Sequence, residues 1–283
     1  MQTKNNSIHL YLRILSYTVL AFTLAFLLNN LLTVWAEWPG VKKIFSHYDL
    51  FGYKQKSLEP SDVNYGLMQI GLYLICIALL ISYVFKTYSQ SLEQDSEILS
   101  KFSAYIVRSS FWAVFLVGIA DFIISFMVVE RLWEAIFSPE VKAFMVKAPE
   151  RITYIHFPII LVSFIIGYFT KSVGFIWLAV LVVLSEFVIV LSRFVFSYEQ
   201  AFQGDLVRFW YAALYLFASA YALIHEGHVR VDVLYSSFSE RKKAWTNVLG
   251  SSLLGVPLCL IVLFLGLNGK ASIINGPVVA FEV

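Results

Sequence analysis

Charge is scarce in this 283-residue chain: Asp, Glu, Lys and Arg together make up 14%, where a soluble domain carries about 25%. A water-soluble fold is excluded on that ground, because its surface would be one apolar patch after another. Cysteine is nearly absent. Cys76 and Cys259 both fall inside apolar runs, and neither belongs to a CxxC pair. That leaves no disulfide framework and no cysteine zinc site, so both read as small apolar packing residues. His9, His47 and His156 stand alone, while His225 and His228 flank Glu226 and Gly227 in a loop. No rigid metal site is expected from them. GxSxG, HExxH, GxxxxGK and GxGxxG strings do not occur, and no large polar region could house chemistry. No catalytic residue and no cofactor are expected. A net charge of +2 is too small to suggest a nucleic-acid partner. The first apolar run is too long for a removable signal peptide and lacks a small-residue cleavage site.

What the chain does have is apolar length. Hydrophobic residues make up 59%, with 25 Phe and 16 Tyr, and the mean hydropathy is +0.74. A hydrocarbon core about 30 Å thick needs about 20 apolar residues as helix. Seven runs qualify: Leu10–Trp35, Gly66–Phe85, Ser109–Val129, Ile152–Phe169, Val173–Phe196, Leu206–Ile224 and Ala244–Leu267. They do not alternate as barrel strands would. The expected fold is an all-α, polytopic transmembrane bundle of about seven spans. Its long loops are Glu37–Tyr65, Lys86–Arg108 and Glu130–Arg151. All seven Trp (35, 38, 112, 133, 177, 210 and 245) fall near expected span ends, as in an aromatic belt.

Orientation follows the Lys/Arg bias. With the N-terminus in the cytoplasm, that side carries Lys4, Lys86, Lys101, Arg108, Lys171 and a loop cluster of Arg230, Arg241, Lys242 and Lys243. The other side carries Lys42, Lys43, Lys54, Lys56, Arg131, Lys142, Lys147 and Arg151. The tally is nearly even. The last polar loop decides, because it is short and its four cations lie close to span ends.

Charges at membrane depth are functional candidates. Asp121 lies midway along the third span, as an ion or proton site or as a hydrogen-bonding partner for a neighbouring helix. Glu186 and Arg193 share a face of the fifth span two turns apart. Glu186 is expected to face protein, and Arg193 to snorkel toward the span end. A self-contained sensor or proton-linked carrier built on Asp121 and Glu186 is one reading of these charges, and an assembly factor for another membrane complex is a further one.

The most informative segment is His225–Trp245, HEGHVRVDVLYSSFSERKKAW. His228 to Val233 alternates polar and apolar residues, and Leu234, Tyr235 and Phe238 continue the apolar side. Ser237 to Glu240 has capping-box spacing. Arg241-Lys242-Lys243 follows, and Trp245 marks the return to the membrane. Physically this is either an ordinary positive-inside loop, which sequence physics alone favours, or an amphipathic cytoplasmic connector whose cations meet anionic headgroups. Its wording resembles the small membrane subunit (Q, DctQ-type) of tripartite ATP-independent periplasmic (TRAP) transporters, in which a His-Val-Arg-Val-Asp run follows the second helix. Here that run is His228-Val229-Arg230-Val231-Asp232. Arg193-Phe194-Val195-Phe196, Ala220-Tyr221-Ala222-Leu223, Ser239, Arg241, Ala244-Trp245, Gly250 and Pro257 match on either side, and Asp205 stands where the family usually has Glu.

The resemblance covers about Val173–Val283 and implies two regions. Residues 1–172 would be a four-helix membrane region of unknown role, and 173–283 a DctQ-like domain. The family core has four helices and three stand before Val283, so a fourth beyond this sequence or a shortened member is implied. The resemblance further implies a scaffold, not a pore. Such a subunit braces a large membrane subunit (M), which carries the substrate and sodium sites, and works with a periplasmic substrate-binding protein (P). The imported substrates would be small organic acids such as dicarboxylates or keto acids, crossing a bacterial inner membrane. Arg193, Asp205, Tyr221, His228, Arg230, Asp232 and Trp245 would serve the family motif and the subunit scaffold.

Overall fold

Apolar runs of this length satisfy their backbone polar groups internally, and in lipid that means helix. The computed structural model describes residues 2–53, 57–171, 175–199, 201–224 and 233–276, and every regular element among them is helical. In order these are α1 (Gln2–Trp35), α2 (Val41–His47), α3 (Pro60–Lys86), α4 (Leu92–Val129), α5 (Trp133–Ile136), α6 (Pro139–Val146) and α7 (Ala148–Arg151). A π-turn (Ile152–His156) leads into α8 (Phe157–Phe169). Then come α9 (Phe175–Val195), α10 (Ala201–Ile224), α11 (Val233–Ser236) and α12 (Glu240–Gly250). A second π-turn (Ser251–Gly255) joins α12 to α13 (Val256–Gly266).

Six described helices are long and apolar enough to cross a membrane: Ile8–Trp35, Pro60–Lys86, Leu92–Val129, Ile152–Phe169, Ile176–Val195 and Glu240–Gly266. The fold is thus the expected all-α polytopic one. The remaining expected span coincides with α10, a helix of 24 residues. Its first two turns carry Gln203, Asp205 and Arg208. The apolar remainder, Phe209–Ile224, is about 24 Å long at 1.5 Å per residue. The expected loop Lys86–Arg108 is mostly helix. Ser91 and Gln94 exchange side-chain-to-backbone hydrogen bonds of 2.9 and 3.2 Å. This reciprocal cap, with Glu93 and Asp95 in the first turn, starts α4 at Leu92.

Contacts group the chain into two compact units, Met1–Ser96 with Leu234–Ala280, and Glu97–Val233 with Phe281–Val283. In the first, α1 packs along α3, where Ala21 and Ala25 are fully buried and let the backbones approach. Buried Gln69 accepts from the Gly40 amide at 2.8 Å and donates to Thr33 Oγ1 at 3.1 Å, which seats the α1–α2 corner on α3. Phe22 and Phe26 meet Phe264 edge-on. Asn30 and Asn275 exchange hydrogen bonds. Lys270 Nζ donates to Glu37 Oε1 at 2.7 Å, and this hydrogen bond, with the charge behind it, holds the Glu37 carboxyl below its ordinary value. These contacts make α1 and α13 run in the same direction.

The second unit has its core on α4, α9 and α10, where Phe111, Leu178, Val182, Leu206, Val207, Trp210 and Ala213 pack together. Trp133 and Trp210 are buried in protein, so the headgroup role expected of all seven indoles does not hold for these two; Trp35, Trp177 and Trp245 are exposed as a belt requires. On α8, Gly167 lies so near α4 that an added Cβ would fall 2.9 Å from both Cα and N of Ser109. Those are backbone atoms and cannot rotate away. Gly167→Ala is expected to cost about 1–3 kcal/mol through overpacking, read as a lowered unfolding temperature in detergent. Gly71→Ala, which opens onto free space, is expected to leave that temperature unchanged or higher.

Candidate functional site

Two buried ion-pair clusters hold the helices, one in each unit. In the first unit Arg13, set in the apolar run of α1, is 2% exposed. Its Nε donates to Asp95 Oδ2 at 2.5 Å and its Nη2 to Asp95 Oδ1 at 3.2 Å, a forked geometry that suits guanidinium and carboxylate. Nη1 and Nη2 also donate to the Thr87 carbonyl at 2.7 Å and to Thr87 Oγ1 at 2.8 Å. The Tyr17 hydroxyl donates to Asp95 Oδ1 at 3.1 Å. The cluster ties α1 to the corner between α3 and α4. Sequence reasoning missed it, although a lone arginine inside a long apolar run was the available signal.

The second cluster is built on Asp121, the intramembrane acid singled out above. Asp121 is 6% and Arg151 0% exposed. Arg151 Nη1 lies 3.5 Å from Asp121 Oδ1, and its Nε donates to the Met145 carbonyl at 2.9 Å. His156 Nε2 donates to the same Oδ1 at 2.8 Å. His156 is therefore not isolated, contrary to expectation. The cause is local: residues five apart lie about 140° apart around an α-helix at 100° per residue, whereas the wider π-turn of Ile152–His156 brings Arg151 and His156 toward one face. Asp121 thus has hydrogen-bonding partners on neighbouring elements. Arg151 Nη2 and Ser125 Oγ, one turn beyond Asp121, have no hydrogen-bond partner among the described residues.

The remaining candidates lie mostly at the surface. Glu186, expected to face protein, is exposed on this chain, at the edge of the packed face of α9 that carries Leu178 and Val182. No contact joins it to Asp121 among the described residues. Arg193 is exposed at the end of α9 with Nε 3.8 Å from Glu199 Oε2. Asp205 is exposed and pairs with Arg208 at 3.2 Å. Both acids border a polar cavity of ≈ 180 Å³ at the α9–α10 corner, lined by Ser192, Tyr198 and Gln203 among others. Tyr221 lies on α10. His225, His228, Arg230 and Asp232 lie outside the described residues. Trp245 is exposed on α12.

The capping box expected at Ser237–Glu240 does not form. The Ser237 hydroxyl donates back to the Leu234 carbonyl at 2.7 Å, closing the turn after α11. The N-cap of α12 is Ser239, which makes no side-chain cap bond, and Glu240 sits in the first turn bound to Lys243. A groove of ≈ 490 Å³ opens there, between Phe238, Trp245 and Leu249 and the cations Arg241 and Lys242.

Four matched elements, α9, α10, α12 and α13, therefore flank the His-Val-Arg-Val-Asp run. No curated protein and no solved structure matches the chain. A family comparison does find a match, and it falls on these elements: residues 179–279 match the DctQ component of the tripartite ATP-independent periplasmic transporters, so this C-terminal part of the chain is similar to that component.

Proposed function

We propose that the chain is the scaffold subunit of a sodium-coupled importer of small organic acids in a bacterial inner membrane. Its N-terminus lies in the cytoplasm, it braces a larger M subunit, and it works beside a periplasmic substrate-binding protein. The observation that carries this reading is the family match over residues 179–279, centred on the run at His228–Asp232. Residues 1–172 form an accessory bundle added to that domain.

Two structural observations support it. Glu37 follows α1 and Lys270 follows α13, and they are hydrogen-bonded, so both ends lie on one side of the membrane. An even number of crossings must separate them. Five of the six long apolar helices follow α1, and on this reading α10 is a sixth crossing after α1, which would give the seven spans of the expected topology. Tyr198 and Glu130, hydrogen-bonded to each other, are likewise separated by two crossings, α8 and α9. The second observation is Glu186, an exposed carboxyl midway along α9 with no described partner. A carboxylate against lipid is costly, and a cationic or hydrogen-bonding group on a larger membrane subunit removes that cost.

Co-expression with its genomic neighbours and purification in mild detergent tests the reading. A much larger membrane subunit is expected to copurify at equal stoichiometry, and Glu186→Lys is expected to reduce its recovery several-fold while this chain remains folded. Purification of this chain alone, under conditions that keep the larger subunit soluble, would overturn the proposal.

A further inference from the structure

The groove at the start of α12 has a makeup that points to one ligand class. Its walls are Phe238, Trp245 and Leu249, and its rim carries Arg241 and Lys242. All three cations of the run Arg241-Lys242-Lys243 stand in the first turn of a helix, where the backbone dipole favours negative charge. Lys243 is offset by Glu240 at 3.0 Å. Arg241 and Lys242 have no acidic partner among the described residues. The N-cap hydroxyl of Ser239 is not committed to the helix either. Glu240 is taken up by Lys243, so among the described residues the positive charge of Arg241 and Lys242 is left without an anion of its own.

The place in the membrane narrows the ligand further. α12 begins the Glu240–Gly266 span, none of whose apolar window is buried inside the protein, so the groove lies at headgroup depth and runs onto an uncovered apolar face. Exposed Trp245 marks the same depth. The groove volume, ≈ 490 Å³, lies within the usual range for small-molecule sites, about 300–1,000 Å³. A free inorganic anion would leave the apolar wall unused, and a neutral or zwitterionic lipid would leave the two cations without net compensation.

We propose that this groove binds one anionic phospholipid. The phosphate would be held by the Arg241 fork and the Lys242 ammonium, with an acyl chain along Trp245 and Leu249. This differs from diffuse attraction of a basic loop to a charged surface, because it is a single stoichiometric site. It stands on the surface of this chain and does not depend on a larger subunit being bound.

The test uses the full chain in detergent micelles, with bound lipid counted by native mass spectrometry during titration with phosphatidylglycerol, phosphatidylcholine or glycerol 3-phosphate. One tightly held phosphatidylglycerol per chain is expected. The double variant Arg241→Gln/Lys242→Gln is expected to weaken it roughly thirtyfold, from about 1 kcal/mol for each cation facing an anionic headgroup. Lys86→Gln/Lys101→Gln, which removes the same charge elsewhere, should leave the affinity unchanged, and Leu249→Ser should weaken phosphatidylglycerol binding without changing the unfolding temperature in detergent. Equal retention of phosphatidylcholine, equal loss in both double variants, or glycerol 3-phosphate binding as tightly as the lipid would each overturn the proposal, the last by making the ligand a free anion.

Discussion

Asp95→Ala is expected to destabilise the protein by about 3–5 kcal/mol, the usual cost of removing one partner from a buried ion pair. The Arg13 guanidinium is 2% exposed and would lose both its forked bonds to the carboxylate, keeping only the neutral acceptors of Thr87. Tyr17 would lose its acceptor as well. The size of the effect comes from the charge left behind more than from the bonds themselves. Arg13→Met/Asp95→Leu, which removes both charges and keeps apolar volume, is therefore expected to recover most of the loss. Tyr17→Phe, which deletes one hydrogen bond, should cost about 1 kcal/mol. Thermal unfolding of the purified chain in detergent reads all of these. An Asp95→Ala protein that melts with the parent would show that water already reaches Arg13 and that the cluster does not hold α1 to the α3–α4 corner.

That cluster marks the limit of what a linear reading yields. Hydropathy found the long helices because lipid imposes one rule on every span, and the rule is local. Arg13 and Asp95 are separated by 82 positions, and nothing local joins them. Asp95 also fell within an expected loop, since the cap that starts α4 at Leu92 was not recognised. The two capping-box strings make the same point in miniature. Ser91 and Gln94 close the reciprocal pair, while Ser237 spends its hydroxyl on the carbonyl of Leu234. Spacing is identical in the two, and the preceding turn decides between them. Glu186 is expected to face protein because a charge in lipid demands a partner. The demand is real, but the partner need not belong to the same chain. In the DctQ-like region the words were legible where the geometry was not: the match over residues 179–279 was announced by a string whose centre, His228–Asp232, lies outside the described residues.

Asp121→Asn is expected to have the second large effect, again of about 3–5 kcal/mol, because it leaves the guanidinium of Arg151 buried without a counter-charge. Arg151 is 0% exposed and its Nη2 has no partner among the described residues, so it would keep only neutral acceptors, the Met145 carbonyl on its Nε and the new amide oxygen. The amide keeps an oxygen for His156 and so separates the charge from the hydrogen bond. His156→Gln, which removes the imidazole and keeps the carboxylate, should cost less, about 1–2 kcal/mol. This ordering, with the aspartate far above the histidine, distinguishes a helix-holding ion pair from a proton-carrying one. A proton carrier needs a carboxyl free to exchange, and its loss should abolish ion-dependent transport while leaving the fold intact. Here one carboxylate oxygen already faces both Arg151 and His156. Uptake by the assembled transporter, scored against the unfolding temperature of the same preparation, decides the matter. If Asp121→Asn unfolds at the parent temperature yet uptake is lost, the carboxyl does chemistry and the structural role falls. If stability and complex yield drop together, and residual complexes transport at the parent rate, Asp121 is what its two partners make it, the fastening between α4 and the π-turn that leads into α8.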